Sequence, residues 1–483
     1  MKILKYLLTA SIAFIMFACT EDIMDEVNED QNNTTQMDAK NLLPDIILKT
    51  SYETTGTDLA WTATVLIEHS AGTWAQSADI DRREGQSAST YNNPWNSLYN
   101  VLTICKTVLK KTDPASGDEP DNYWVRGVTQ ILTAYNLAVC TDFWGEIPWT
   151  EACLGLENLK PAYENQSVIY GYIFDLLDSA VVNLDRATLV YTDKDYIFGH
   201  LSKNDNVAAW KKTAYSLKVR YLVRLSGVEP DGLAEAIALI DDGFASNADA
   251  CLFNKYEASL YKANPWWEFR YIRAHLSVST TLLNIMQART DPRIPACFTT
   301  VGGAFVGAPP GEAQEVQSGV YSRSIFTAGN SVFTMTQSTP LMTYYELKFL
   351  EAEAKQRTGD ATWQDALEDA IEASFLAKGL TAGEAATYFT DVVTPLLATD
   401  PLNEIMTQKY IAMYEAEAME SYHDYRRIGI PTMNNPRNDP AQGNGFMHRL
   451  PYALSEKSSN EANVPSVDIF NDKVWWAGGQ EKL

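Results

Sequence analysis

Amphipathic helical periodicity recurs along this 483-residue sequence and constrains its fold more than any other feature. Apolar residues three and four positions apart fall on one face of an α-helix and can be buried together. The pattern predicts helices over residues 96–109, 123–139, 167–184, 207–225, 233–244, 341–357, 362–376 and 403–422. Helix pairs of this length stack into solenoids, in which each pair covers its neighbour's apolar face. The sequence therefore predicts a mainly α-helical protein built on a TPR-like helix-pair solenoid scaffold.

The helical pattern stops between about residues 245 and 339, where Gly, Pro, Ser, Thr and Gln become frequent. Gly302-Gly303 and Pro309-Pro310-Gly311 interrupt any regular element there. Long ordered loops on a helical scaffold commonly carry binding surfaces. We therefore expect a single body over residues 39–483, with a loop-rich ligand-binding insertion at about 245–339.

The N-terminus has the pattern of an export signal. A short basic start is followed by an apolar run from Tyr6 to Phe17, which is shorter than the roughly 20 residues that a membrane-spanning helix needs. The run ends at Ala18-Cys19, which looks like a bacterial lipoprotein cleavage site. We therefore predict a lipoprotein signal peptide over residues 1–18, with Cys19 as the lipidated residue. A plain signal peptide with an incidental cysteine is the alternative.

Residues 19–38 are rich in Glu, Asp, Asn, Gln and Thr and cannot form a core, so they are predicted to be a lipidated acidic tether. Across the whole sequence, 38 basic and 62 acidic side chains give a formal net charge of −24. Phosphate neutralisation needs a basic surface, so this charge argues against a nucleic-acid partner.

Signatures of catalysis and of metal binding are weak. The sequence contains no HExxH, GxSxG or P-loop motif, its five histidines are scattered, and no CxxC pair exists. We therefore predict no catalytic residues, no metal ligands and no cofactor. The five cysteines after Cys19 are expected to be mainly core thiols, and one disulfide among them stays open. A pair of catalytic carboxylates has no sequence signature, so a hydrolase stays the alternative.

Aromatic residues are abundant, with 12 Trp, 25 Tyr and 17 Phe. Apolar sugar faces stack on Trp and Tyr, and sugar hydroxyls bond to amides, carboxylates and guanidinium groups. The candidate ligand-binding residues are aromatics outside the regular helices and their polar neighbours: Trp74, Gln76, Asp79, Trp266, Trp267, Arg270, Tyr271 and Tyr321. Two adjacent tryptophans rarely both face inward, so we expect one of Trp266 and Trp267 to be exposed or in a groove. The alternative is that they cap the helix stack. We also expect that Trp74→Ala or Trp267→Ala weakens ligand binding without unfolding the protein.

Several arginines occupy positions that suit buried ion pairs. Arg220 and Arg224 are four residues apart on one predicted helix face, and Arg426-Arg427 follows the end of another helix. Cations are favourable at a helix C-terminus and form strong bidentate bonds with carboxylates. We interpret these arginines, together with Arg449, as structural. Trp475-Trp476 either docks the C-terminal tail on the body or contacts a partner.

Eight motifs, in order along the chain, resemble the SusD/RagB superfamily of outer-membrane lipoproteins, in particular its branch described as starch-binding and associating with the outer membrane. They are Trp95–Tyr99, Thr141–Ala152, Pro161–Gln166, Trp210–Arg224, Asp291-Pro292-Arg293, Leu350–Ala354, Gln408–Tyr410 with Tyr425–Pro431, and Arg449–Tyr452. Two departures are mild, because Trp149 stands where the family often has Tyr and Ile428 where it often has Thr.

The resemblance implies a SusD-like helical fold and a protein that is not an enzyme. It further implies a surface-exposed lipoprotein, anchored in the outer membrane by its lipid, that captures a glycan or another nutrient. Such a protein acts as the lid of a SusC-like TonB-dependent outer-membrane transporter. The acidic run behind Cys19 also resembles the surface-export signal of Bacteroidetes lipoproteins. A lipid-anchored surface hydrolase, either a glycosidase or a peptidase, is the competing hypothesis.

Overall fold

The computed structural model describes residues 37–325 and 334–483. The predicted signal peptide, Cys19 and nearly all of the predicted tether lie outside the described residues. The α-helices, in chain order, are α1 (Ala39–Lys49), α2 (Asp58–Leu66), α3 (Ala75–Asp81), α4 (Asn92–Lys111), α5 (Tyr123–Trp144), α6 (Gln166–Asp185), α7 (Lys203–Leu225), α8 (Gly232–Ala238), α9 (Pro265–Glu268), α10 (Thr280–Ala288), α11 (Ile294–Cys297), α12 (Tyr344–Thr358), α13 (Trp363–Ala377), α14 (Ala382–Tyr388), α15 (Thr394–Leu397), α16 (Pro401–Ala412), α17 (Ala418–Ile428) and α18 (Leu454–Ser459).

Short strands join the loop-rich part of the chain to the scaffold. They are β1 (Ser70–Gly72), β2 (Cys251–Phe253), β3 (Leu276–Val278) and β4 (Thr339–Met342). They form two antiparallel pairs, β1 with β3 and β2 with β4. Each pair fixes part of the region 245–339 against a segment that flanks a scaffold helix. π-helical turns cover Thr50–Thr54, Phe269–Arg273 and Phe389–Val393, and 3-10 turns cover Gly155–Glu157, Thr192–Lys194, Ile240–Asp242, Asn247–Asp249, Pro436–Asn438 and Trp475–Ala477.

The helices follow from local signals and from burial. α5 is buried along nearly its whole length and ends at Gly145, whose φ of 81° is in the left-handed region. Ser202 caps the N-terminus of α7, because its hydroxyl accepts a hydrogen bond from the Asp205 amide at 3.3 Å. α5 packs on α6, α7 on α8 and α12 on α13. The predicted mainly helical fold class is therefore confirmed.

One described helix, α6, is long and apolar enough to cross a membrane by length and composition alone. Its Ile169, Ile173 and Leu177 are buried in the main hydrophobic core. Core helices of other proteins meet the same length and hydropathy criterion.

Two helices predicted from periodicity have wrong bounds, and one region contains helices that the sequence analysis does not predict. The predicted helix 233–244 ends as an α-helix at Ala238. The region 245–339 contains helices α9 to α11 as well as strands, so it is less irregular than its composition indicates. The predicted helix 403–422 is two helices, α16 and α17, separated by a link over residues 413–417. This link turns inward because its two glutamates, Glu415 and Glu417, find buried partners that a continuous helix would not reach.

A network of buried charges lies among the scaffold helices. Arg220 donates from Nε to Glu346 at 2.8 Å and lies 3.5 Å from Glu417. Arg224, one turn further along α7, pairs with Asp142 and Glu420. The expectation that these arginines pair with carboxylates is confirmed.

The arginines at the end of α17 are also structural. Arg427 pairs with Glu353 at 2.7 Å and with Asp424 at 2.9 Å, and Arg449 pairs with Glu146 at 2.9 Å. All of these charged groups are nearly inaccessible to solvent.

The C-terminal tail docks on the same network. The buried Trp476 indole donates to Asp142 Oδ1 at 2.7 Å, and the Tyr170 hydroxyl donates to the same oxygen at 2.6 Å. The docking interpretation of the Trp475-Trp476 pair is therefore confirmed for Trp476.

The cysteines of the described residues, Cys105, Cys140, Cys153, Cys251 and Cys297, are all free thiols, and all but Cys153 are buried.

Replacement of Arg224 tests whether the network of buried ion pairs holds the scaffold helices together. We expect Arg224→Met to lower the free energy of unfolding by about 3–5 kcal/mol, because Asp142 and Glu420 lose their cation without regaining water. The measurement is urea unfolding followed by circular dichroism. Lys211→Met is the matched control, since Lys211 forms a partly exposed pair with Asp185 and should change stability little. Equal effects of the two substitutions would contradict the assignment.

Candidate functional site

Two of the segments singled out in the sequence meet at the β1–β3 pair. Directly after β1, the Thr73 amide donates to the carbonyl of His275 at 2.8 Å. This hydrogen bond extends the strand pairing to the start of α3. As a result, Trp74 is placed beside the segment 271–275.

α3 folds back closely on β1 because residue 72 is a glycine. A Cβ atom at Gly72 would lie 1.8 Å from the Ser77 carbonyl oxygen, so no other residue fits this approach. The turn leaves Trp74 38% exposed, and Gln76 and Asp79 on the same short helix are also exposed. The structure thus places this part of the predicted site on the surface.

The second segment, residues 264–271, exposes an aromatic ring that packs on another ring. The Asn264 side chain caps α9 by accepting hydrogen bonds from the amides of Trp266 at 2.8 Å and Trp267 at 3.1 Å. Trp267 then stacks on Tyr271, with ring centroids 4.7 Å apart and an interplanar angle of 13°. Tyr271 is 62% exposed, so the accessible ring of this segment is Tyr271 and Trp267 supports it from beneath.

We expected one tryptophan of the pair to be exposed or in a groove, and neither ring is exposed. Trp266 is 5% and Trp267 is 7% exposed. Both rings can face inward because α9 has only four residues and continues into a π-helical turn rather than a regular helix. Trp267→Ala would remove a packed ring and should therefore destabilise the fold by about 3–5 kcal/mol. Trp266 agrees with the groove alternative, because it lines a pocket.

Arg270 supports the site from inside rather than reaching its surface. It is buried, and it donates to the Leu276 carbonyl at 3.0 Å and to the Ser70 hydroxyl at 3.1 Å. It also forms an ion pair with Glu415 in the link between α16 and α17. Arg270 thus ties the β1–β3 pair to the helical scaffold.

The loop over residues 312–321 borders the same surface. Gln317 donates to the Arg273 carbonyl at 3.1 Å, and Glu315 lies 3.9 Å from Arg82 just after α3. Tyr321 is half-buried, and its hydroxyl accepts a hydrogen bond from the backbone of this loop. The structure therefore links all three predicted segments to one region.

We use the name aromatic face for the surface formed by Trp74, Tyr271 and Ile272 with Gln76, Asp79 and Gln317 around them. Ile272 is exposed and was missed in the sequence analysis, as was the exposed Tyr261 nearby. Neither has a periodic signal, because both lie in irregular segments. The only sequence signal for Tyr261 is that it is an aromatic residue outside the regular helices. The neighbouring candidates were chosen on the same signal.

The described residues contain no group of three or more His, Cys, Asp and Glu side chains placed to hold a metal ion.

One buried carboxyl group, that of Asp81, has a pKa above its usual range. Asp81, the last residue of α3, is buried, and its Oδ2 accepts a hydrogen bond from the Gly311 amide at 2.7 Å. Burial raises the pKa of Asp81 to about 7 even though Arg83 lies nearby. Its hydrogen bond links α3 to the loop at 309–311.

Comparison with known proteins identifies the family. Residues 31–453 match the family described as "Starch-binding associating with outer membrane". The chain belongs to this SusD-like family. Members of the SusD-like family are binding proteins rather than enzymes, and the family is associated with the outer membrane.

Solved structures agree with this membership. A SusD/RagB family protein from Bacteroides thetaiotaomicron has a TM-score of 0.83 and 29% identity to the SusD-like chain, covering 92% of it and 100% of the other chain. A chitin-binding protein has a TM-score of 0.75 and 22% identity, with coverages of 91% and 100%. A chitin-binding SusD homolog from Flavobacterium johnsoniae has a TM-score of 0.73 and 20% identity, with coverages of 92% and 100%. The last two establish likeness of fold alone. No curated protein matches the sequence significantly.

The raised pKa of Asp81 predicts a specific dependence of stability on pH. The pKa is about 7 in the folded state and near 3.8 when unfolded. Between these values the folded state holds more protons, so its stability falls as pH rises from about 4 to 7. Asp81→Asn removes this loss. Between pH 4 and pH 8, we expect the free energy of unfolding of the variant to rise by about 2–4 kcal/mol relative to that of the native protein.

The measurement is chemical unfolding of both proteins across this pH range. Asp79→Asn, two residues earlier and exposed, is the matched control and should run parallel to the native protein. If the Asp81→Asn profile also runs parallel, then the carboxyl does not titrate as described.

Proposed function

We propose that this chain is a cell-surface lipoprotein that captures an oligo- or polysaccharide at the aromatic face. The observations that carry the proposal are the accessible rings of Trp74 and Tyr271, whose segments are joined by the hydrogen bond from Thr73 to His275, in a member of a family described as starch-binding. Exposed aromatic rings beside amides and carboxylates are the groups that bind apolar sugar faces and sugar hydroxyls.

The stacking of Trp267 beneath the Tyr271 ring favours ligand binding. Its ring lies on Trp267, and Trp267 is oriented by the Asn264 cap, so the platform is ordered before a ligand arrives. A preorganised side chain loses little rotamer freedom on binding. Gln76, Asp79 and Gln317 offer hydrogen-bond partners at the edge of this platform.

The first ligands to test follow from the relatives. The family description mentions starch, and two proteins of similar fold are named as chitin-binding. We therefore propose α-glucan and chitin oligosaccharides as the leading candidates. A lipid-anchored glycosidase or peptidase is the second candidate function, and it would release products from such ligands.

We further propose that the protein acts as the lid of a SusC-like TonB-dependent transporter in the outer membrane. The support is the membership of an outer-membrane-associated family, together with the sequence pattern at Ala18-Cys19 and the acidic residues behind it. Acyl chains on Cys19 would hold the body at the membrane, at about 0.8 kcal/mol for each buried methylene group. The ligand captured at the aromatic face would then be passed into the barrel.

Replacement of the exposed rings tests the ligand site. We expect Trp74→Ala and Tyr271→Ala each to weaken the binding of malto- or chito-oligosaccharides about tenfold, as about 1.4 kcal/mol of stacking is lost. The measurement is isothermal titration calorimetry, with thermal unfolding to confirm that both variants fold. Leu156→Ala is the control, because Leu156 is 92% exposed and does not belong to the aromatic face. Unchanged affinity in both ring variants would count against this site, and the accumulation of released sugars would favour the hydrolase.

Replacement of Cys19 tests the anchor and the transporter together. We expect the full native chain to fractionate with outer membranes and to co-purify with a large β-barrel protein after detergent extraction. Cys19→Ser should release the chain from the membrane fraction because it removes the acylated thiol. A native chain that fractionates with soluble proteins would contradict the anchor. A membrane-bound chain without a barrel partner would contradict the role as a lid.

A further inference from the structure

A cleft of about 560 Å³ lies outside the aromatic face. Its volume falls within the roughly 300–1,000 Å³ that is usual for small-molecule sites. One wall comes from the end of α1 and the π-helical turn that follows it, and the other comes from the loop after β2, residues 254–262. None of the residues that define the aromatic face lines this cleft. We use the name tyrosine cleft for the space between Leu48, Tyr52, Tyr256 and Tyr261.

Tyr261 is the most accessible ring of the tyrosine cleft. It is 83% exposed, and its φ of 66° is in the left-handed region, which is uncommon for a bulky side chain. On the wall formed by α1, Leu48 is 42% exposed, and Tyr52 in the following turn is half-buried. Both walls therefore have apolar surface that a ligand can contact.

The loop that carries Tyr261 is held by hydrogen bonds at both ends. The Glu257 amide donates to the Lys262 carbonyl at 2.9 Å, and the side chains of the same two residues form an ion pair at 2.9 Å. The Tyr261 amide donates to the carboxylate of Glu268 in α9. A loop whose backbone is already fixed loses little conformational freedom when its exposed ring binds a ligand.

The charges around the tyrosine cleft balance. Its lining among the described residues contains three cations and three anions, namely Lys49, Lys255, Lys262, Asp45, Glu53 and Glu257. Lys49 is paired with Asp45 at 2.7 Å, and Lys262 is paired with Glu257. A charged ligand therefore meets no excess of the opposite charge. The hydroxyl groups of a neutral sugar, in contrast, can bond to carboxylates, ammonium groups and tyrosine hydroxyls, and its apolar face can stack on a tyrosine ring.

The tyrosine cleft and the aromatic face are carried by one short stretch of chain. Glu268, which accepts the hydrogen bond from the Tyr261 amide, directly follows Trp267, and the Trp267 ring supports Tyr271. The two exposed tyrosines thus flank α9, a helix of four residues. Such a helix is only about 6 Å long. One glycan of several sugars can therefore reach both tyrosines.

We propose that the tyrosine cleft binds a further stretch of the neutral glycan chain that is captured at the aromatic face. The preferred ligand is then a polysaccharide rather than a short oligosaccharide, and Tyr261 is the ring on which the second stretch stacks. This inference rests on the proposed function for its class of ligand, but its contacts are made by residues outside the aromatic face. Two linked contacts on one chain raise the affinity for long chains well above the affinity for short ones.

The test compares variants of the cleft and of the face in the full chain. Tyr261→Ala removes the exposed ring of the cleft, and Trp74→Ala with Tyr271→Ala removes the aromatic face. Leu260→Ala is the matched control, because Leu260 is 49% exposed in the same loop and does not line the cleft. The probes are soluble starch and glycol chitin, measured by affinity electrophoresis, with maltotriose and chitotriose, measured by calorimetry.

We expect the native chain to bind one polymer at least tenfold more tightly than the corresponding trisaccharide. Tyr261→Ala should lower this ratio of affinities at least tenfold, whereas Leu260→Ala should keep the native ratio. The proposal is overturned if the native chain binds neither polymer or if Tyr261→Ala keeps the native ratio. A Tyr261→Ala chain that binds both polymers normally but no longer co-purifies with a barrel protein would also overturn it, because the cleft would then belong to a protein partner.

The variant without the aromatic face separates this proposal from the proposed function. Loss of trisaccharide binding in that variant supports the aromatic face, whatever the result for Tyr261→Ala. Polymer binding that survives in that variant and is lost with Tyr261→Ala supports the tyrosine cleft and contradicts the aromatic face. The two proposals can therefore fail separately.

Discussion

The ion pairs of Arg220 and Arg224 are the interaction on which the arrangement of the scaffold depends. These two cations on α7 contact acidic groups from α5, α12, α17 and the link before α17. A buried ion pair adds little net stability compared with an apolar pair, but a buried charge without its partner is costly. The helices are therefore restricted to positions in which every charge is matched. This restriction places the link at 413–417, and through Arg270 it reaches the β1–β3 pair beneath the aromatic face.

Much of the scaffold could be predicted from sequence because helical periodicity is a local signal. The ranges of α5, α6, α7, α12 and α13 follow from apolar residues at helical spacing, with errors of a few residues at their ends. The pairing of Arg220 and Arg224 with carboxylates could also be predicted, since two cations one turn apart on an apolar helix need anions. Ordered motifs along the chain were sufficient to recognise the family.

The remaining features depend on contacts between residues far apart in the chain. The break before α17 is invisible in the local pattern because Glu415 and Glu417 leave the helix to reach Arg270 and Thr343. Position outside the regular helices picked out the aromatic residues near 74 and 266–271 as candidates, but it did not distinguish the exposed Tyr271 from the buried Trp267 beneath it. That distinction requires the short turn of α9 and the pairing of β1 with β3, which periodicity does not report.

The docking of Trp476 on Asp142 has a consequence for the order in which the molecule assembles. Asp142 belongs to the innermost helix, yet one of its hydrogen bonds comes from a residue more than 330 positions later in the chain. The central charge network is thus incomplete until the last residues have been made and have folded back. Until then Asp142 has its ion pair with Arg224 and its hydrogen bond from Tyr170 but lacks the Trp476 donor. Docking of the C-terminal tail is therefore the step that completes the hydrogen bonding of Asp142.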